Sequence, residues 1–204
     1  MLMVFAVAAG LELVGVALDN AVLQWVAKPL LAPLLAIWLV RRHGFDAVVV
    51  ALGFATAGDV ALLIDDERAF LVGMVFFLGT QACLISAFAR RGRRRRWALA
   101  GYAVLWATAN AVLGERLGDL RVPVLVYSLA LSVMAALAAG VSRRVAAGGA
   151  LFLVSDFLIG LGAAEITVPG QDLLVMVTYI SALALIVTGW ARLDRAANLG
   201  KPKS

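Results

Sequence analysis

The chain has 204 residues, 63% of them hydrophobic and 15% charged, with a mean hydropathy of +0.96. A water-soluble domain carries about 45–50% apolar and about 25% charged residues, so water is not the main solvent of this one. The net charge of +5 does not signal nucleic acid, because the basic residues sit between apolar runs instead of on one solvated face. One cysteine, Cys83, inside an apolar run excludes a disulfide framework and a thiolate metal centre, and says nothing about redox compartment.

A helix needs about 20 apolar residues to cross about 30 Å of hydrocarbon, so a chain of this length holds about eight spans and no separate soluble domain. The predicted spans are 2–18, 21–40, 46–64, 69–89, 97–113, 122–140, 146–164 and 172–191. The opening MLMVFAVAAG lacks a basic leader and a further apolar stretch follows at once, so it reads as a retained first span, not a cleaved signal peptide. The expectation is an all-α polytopic bundle: one membrane domain over 1–191, then a short basic tail over 192–204 that is disordered around Pro202.

Charge then sorts the loops. Arg41 and Arg42 follow span two, Arg90, Arg91 and Arg93 to Arg96 follow span four, Arg143 and Arg144 follow span six, and Arg192, Arg195, Lys201 and Lys203 follow span eight. The other loops carry Asp19, then Asp65, Asp66 and Glu67, then Glu115 and Asp119, then Glu165 and Asp172, with only Arg68, Arg116 and Arg121 among them. Translocation of Lys and Arg is disfavoured, which predicts that the basic ends and both termini are cytoplasmic, in the plasma (inner) membrane of a bacterium. The RRGRRRR run reads as a topology anchor on anionic headgroups, with a regulatory or partner site as the sharper alternative.

Two segments echo each other. GFATAGDVALLI in span three and ALFLVSDFLIGL in span seven each place an aspartate after a small residue, and each follows a proline of the preceding span, Pro29 or Pro123. A shift of four spans preserves orientation, so the echo is either two parallel halves about an axis along the membrane normal or chance similarity between apolar helices.

Ionisable groups in hydrocarbon cost at least about 2.5–3.5 kcal/mol each, so they face a bundle interior or a watery cavity and mark function. Four are present: Glu12, Lys28, Asp59 and Asp156. At 1.5 Å per residue from the outer end of each span, all four lie at roughly 9–12 Å depth, in one layer. Gln81 is a little deeper, and Asn110, Tyr127 and Tyr179 lie at or above that layer. The plain alternative is a hydrogen-bonded packing network in which Lys28 pairs with one carboxylate, the tyrosines being interfacial anchors. Gly58 and Ser155 leave room beside the two aspartates. Low dielectric and mutual repulsion predict one protonated and one ionised aspartate, with Lys28 opposing the effect, which is the pairing that acid/base hydrolysis requires. The only histidine, His43, lies in a basic loop, so no serine–histidine triad or histidine-ligated metal can form within the membrane. No phosphate-binding loop or dinucleotide fingerprint is present, and no cofactor is called for.

At these residues the chain resembles the YhhN-like lysoplasmalogenases, a family of small membrane hydrolases. The resemblance runs from Lys28-Pro29 through Gly58-Asp59 and the F-x-x-G-x-x-x-F pattern of Phe70, Gly73 and Phe77 to Pro123, Val126 and Tyr127. It continues in the GALFLVSD segment ending at Ser155-Asp156 and in Thr178-Tyr179. What it implies is hydrolysis of the vinyl ether of a lysophospholipid-like substrate, giving a fatty aldehyde and a glycerophospho-alcohol. Asp59 and Asp156 would be the catalytic pair, and Lys28 would orient one of them or bind the substrate's phosphate. Glu12, Gln81, Asn110, Tyr127, Ser155 and Tyr179 are the further candidates for substrate binding. Two places depart from the family pattern. Gln81 and Leu84 stand where a His and, three residues on, a Tyr are expected, and Leu183 stands where a Gln is expected, which weakens the inference of the same substrate. A proton-coupled transporter or exporter of a small amphiphile, and a non-catalytic scaffold, are the competing readings. Oligomeric state is not encoded legibly.

Overall fold

The computed structural model describes the backbone of residues 1–199 and the side chains of residues 1–193. Lys201, Pro202 and Lys203, and the side chain of Arg195, lie outside the described residues. The described chain forms eight α-helices and a single 3-10 turn: α1 Leu2–Ala17, α2 Ala21–His43, α3 Ala47–Ala61, α4 Glu67–Arg91, α5 Arg96–Leu113, the turn Gly118–Leu120, α6 Arg121–Ala138, α7 Arg143–Ala163 and α8 Gln171–Leu199. The predicted spans therefore recur as helices in the same order.

Helix starts follow from capping. Asn20, Asp46, Asp66 and Ser142 each accept hydrogen bonds from the free amides of the first turn, at α2, α3, α4 and α7. Pro29 and Pro33 lie inside α2, which runs on through both, whereas Pro123 falls in the first turn of α6, where its missing N–H costs nothing. Five helices, α2, α4, α6 with its preceding turn, α7 and α8, are long and apolar enough to cross a membrane. α1 and α3 are apolar but only 16 and 15 residues long. At 1.5 Å per residue each reaches roughly 22–24 Å, less than a full hydrocarbon layer.

Seven helices close a ring. Contacts run α1·α2, α2·α3, α3·α4, α4·α6, α6·α7, α7·α8 and α8·α1, with α2·α8 bracing the ring from within. α5 stands outside it against α6, and only Ala98 and Leu113 of that helix are buried. The pattern repeats at a shift of four helices: α1·α2 matches α5·α6, α2·α3 matches α6·α7, α3·α4 matches α7·α8, and α2·α8 matches α6·α4. That is the contact pattern expected of two parallel halves, and it favours the duplicated reading of the aspartate echo. The match fails where α1 packs on α8, because α5 has no comparable contact with α4.

The two ends differ in charge as the loops foretold. At one end Trp190 Nε1 donates to Asp46 Oδ2 at 2.6 Å, the Arg91 guanidinium stacks 4.7 Å from the Trp190 ring, Arg93 N donates to Gly140 O at 3.1 Å, and an Arg144 guanidinium N–H donates to Thr188 Oγ1 at 3.4 Å. These contacts gather the exits of α2, α4, α6 and α8 at one arginine-rich face. At the other end Gln171 Nε2 donates to Leu158 O at 3.0 Å, and a cavity brings the end of α1 beside the Glu165–Asp172 loop.

Candidate active site

The candidate residues lie on the apolar stripes that turn each helix inward. On α1 the buried positions are Phe5, Ala8, Ala9, Glu12 and Gly15; on α3 the stripe Leu52, Ala55, Gly58 and Asp59 does the same; on α4 it is Gly73, Phe77, Thr80, Gln81 and Leu84. Spacing of three and four residues puts each polar group on the core face, so burial of its apolar neighbours carries it into the bundle. Every helix of the ring supplies one such group: Glu12, Lys28, Asp59, Gln81, Tyr127, Asp156 and Tyr179.

Asp59 is sealed. It is 1% exposed, and its Oδ2 accepts a hydrogen bond of 2.8 Å from the Tyr179 hydroxyl of α8. The Tyr179 ring meets Phe77 and Phe152 edge-to-face, at centroid distances of 5.9 and 5.6 Å, and those two meet at 6.2 Å. Gly58 makes this wall possible, since a Cβ there would lie 2.7 Å from the Phe77 ring. The charge of Lys28 acts on both Asp59 and Glu12, and Glu12 in turn acts on Asp59, so α1, α2 and α3 share one charged cluster. Glu12 is fully buried, and neither carboxylate oxygen has a hydrogen-bond partner among the described residues.

Asp156 is half-open. Its Oδ2 accepts a hydrogen bond from the Tyr127 hydroxyl of α6. Phe77 links the two aspartates, its ring against Tyr179 and on the wall of a small cavity at Asp156. Gln81 is fully buried and faces the Tyr127 hydroxyl, without a hydrogen bond of regular geometry. The replacement of an expected histidine thus lands beside the hydroxyl that holds Asp156.

Two cavities meet at the Tyr127–Asp156 pair. One, of about 230 Å³, is a crevice between α5, α6 and α7 whose walls include Leu105, Asn110, Leu131 and Phe157. The other, of about 40 Å³, lies among Leu62, Phe70, Met74, Phe77 and Ile159. Leu62 and Phe70 also line a wider cavity of about 320 Å³ whose rim is Asp65, Asp66 and Glu67 at the acidic end of the bundle. Leu62 and Phe70 thus stand between that surface cavity and the small one at Asp156.

The remaining candidates divide. Asn110 lines the crevice, its Nδ2 donating to Trp106 O at 2.9 Å and to Ser128 Oγ at 3.2 Å. Ser155 Oγ donates to Val175 O at 3.0 Å and is thereby occupied in tying α7 to α8. Tyr127 and Tyr179, which could have been interfacial anchors, are the hydroxyl partners of the two carboxylates. Trp106, Ser128 and Ser132 also line the crevice and escaped sequence reasoning. Their signal was the four-residue spacing of Trp106 with Asn110 and of Ser128 with Ser132, which puts each pair on one helical face.

Apolar helices enclosing a tyrosine-bound pair of carboxylates define an α-helical membrane protein with an intramembrane acidic site. The YhhN family pattern matches residues 23–190, and the chain belongs to that family. The matched segment contains every candidate except Glu12, whose helix precedes it. No curated protein and no solved structure matches the chain.

Proposed function

We propose that the protein is a membrane-embedded hydrolase that cleaves the vinyl ether of a lysoplasmalogen-like lipid, releasing a fatty aldehyde and a glycerophospho-alcohol. One observation carries the reading: aspartates from the two halves of the chain, on α3 and α7, are each held by a tyrosine hydroxyl, and Phe77 borders both, its ring against Tyr179 and on the wall of the small cavity at Asp156. Family membership and resemblance to lysoplasmalogenases support it.

Vinyl ether hydrolysis begins with protonation of the β-carbon, which leaves an oxocarbenium ion at the ether carbon. Water adds there, and the hemiacetal collapses to aldehyde and alcohol with return of one proton to the acid. Asp156, which borders both cavities, is assigned the proton transfer; Asp59, sealed beside Lys28, is the carboxylate whose fixed charge stabilises the cation. The small cavity beside Asp156, at about 40 Å³, has room for about one water molecule. All eight helices cross the membrane in this proposal, with the arginine-rich end and both termini cytoplasmic.

The test is aldehyde release from lysoplasmalogen by purified protein in nanodiscs. The Asp59→Asn, Asp156→Asn double variant is expected to lose about 10²-fold or more, the scale of a proton-transfer group. Undiminished release from a folded double variant would remove the assigned roles. A proton-coupled transporter favours helices broken at its binding site, whereas α2 continues through Pro29 and Pro33 beside the charged cluster.

A further inference from the structure

The crevice beside Asp156 has a graded lining. Most of its polar members, Asn110, Tyr127, Ser128 and Asp156, lie toward the acidic end of the bundle, with Ser132 one turn deeper on α6. Leu105, Leu131 and Leu153 lie nearer the middle of α5, α6 and α7. Leu105, Val154 and Phe157 border it and are exposed on the bundle surface. In a membrane that surface faces hydrocarbon, so the mouth opens sideways into acyl chains and not into water. The gap exists because α5 packs on α6 and has no comparable contact with α7. At about 230 Å³ the crevice is smaller than the roughly 300–1,000 Å³ of pockets for drug-sized ligands, which suits one chain segment and excludes a pair.

We propose that the α5–α6–α7 crevice binds the hydrocarbon chain of a single-chain amphiphile that enters sideways from the bilayer, with the polar end of the chain at the Tyr127–Asp156 pair. The polarity gradient sets the orientation: chain toward the membrane centre, headgroup toward the acidic end. The small cavity among Leu62, Phe70, Met74, Phe77 and Ile159 also borders Asp156, so a chain in the crevice and a water in that cavity would meet at one carboxylate. A two-chain phospholipid would have to leave its second chain outside a crevice of this volume, so it is expected to label more weakly. The Trp106 indole N–H donates to Ser128 Oγ at 3.2 Å, and Asn110 donates to the same oxygen, so α5 is pinned to α6 at the polar end while its flank toward α7 stays open.

The inference rests on the hydrolase reading only for what happens after binding, so its test does not require turnover. The probe is a lysophosphatidylethanolamine with a saturated alkyl ether chain, which cannot be hydrolysed at a vinyl ether, bearing a diazirine in the chain and incorporated into nanodiscs with the full-length protein. Cross-links are expected on α5 and α7 around Leu105 and Val154. Ala109→Trp, on the crevice wall, is expected to cut labelling about tenfold, the effect of losing contact with a couple of methylenes. Ile37→Trp, in the apolar groove between α2 and α3, is expected to leave it unchanged. Cross-links confined to the Ile37 groove, or equal labelling by a two-chain diazirine lipid, would overturn the proposal. Crevice labelling without aldehyde release from lysoplasmalogen would uphold the chain site and sink the hydrolase reading instead. Val112→Trp, exposed on the same helix, is expected to label as the wild type does, and an equal loss there would overturn the proposal.

Discussion

Asp59 and Asp156 follow similar local sequences on corresponding helices, yet their surroundings differ in kind. Asp59 is shut behind Phe77, Phe152 and Tyr179 and lies in the field of Lys28 and Glu12. Asp156 has one tyrosine partner and borders two cavities. The division follows from the helices that lack counterparts in position. α1 packs on α8 and closes the first half, whereas α5 stands off and leaves the second half open. A duplicated pair of carboxylates thereby acquires two environments, one suited to holding a fixed charge and one to meeting a ligand.

That contrast can be broken by removing the two tyrosine hydroxyls in turn. Tyr179→Phe leaves a sealed carboxylate oxygen without a donor, and should lower stability by about 1–3 kcal/mol in thermal or denaturant unfolding. Tyr127→Phe touches a site with room to rearrange, so its loss should appear mainly in kcat for aldehyde release. Equal stability losses from both would mean that the two sites are alike. Gly58→Ala tests the aromatic seal: the new methyl would lie 2.7 Å from the Phe77 ring, and a cost toward the lower end of about 1–3 kcal/mol is expected by the same measurement. The smallest effect belongs to Ser155→Ala, about 0.5–1.5 kcal/mol of stability from the lost bond between α7 and α8. A collapse of turnover beyond that stability loss would return Ser155 to the substrate.

Much of the site was legible because charge in an apolar helix is costly wherever the helix packs. Glu12, Lys28, Asp59 and Asp156 stood out without knowledge of their neighbours, and Gln81 and the tyrosines stood out at nearly the same depth. Ser155 shows the limit of such reading. A serine beside an aspartate is equally suited to a substrate or to a neighbouring carbonyl, and only the position of Val175 on α8 decides between them. Trp106, Ser128 and Ser132 are ordinary residues for an apolar helix, and nothing in their chemistry marks them until α5, α6 and α7 are placed together.

By itself the amino-acid sequence determined the apolar character of the chain, the number and order of helices and the separation of basic from acidic ends. These are local or additive properties: hydropathy summed along a span, a cap at each start, arginines retained on one side. The tertiary structure alone decided which tyrosine serves which aspartate, that Asp59 is sealed while Asp156 borders two cavities, and that α5 stands aside to leave a crevice. Those outcomes depend on contacts between helices distant in the chain, whose small and large side chains fit only when both surfaces are present.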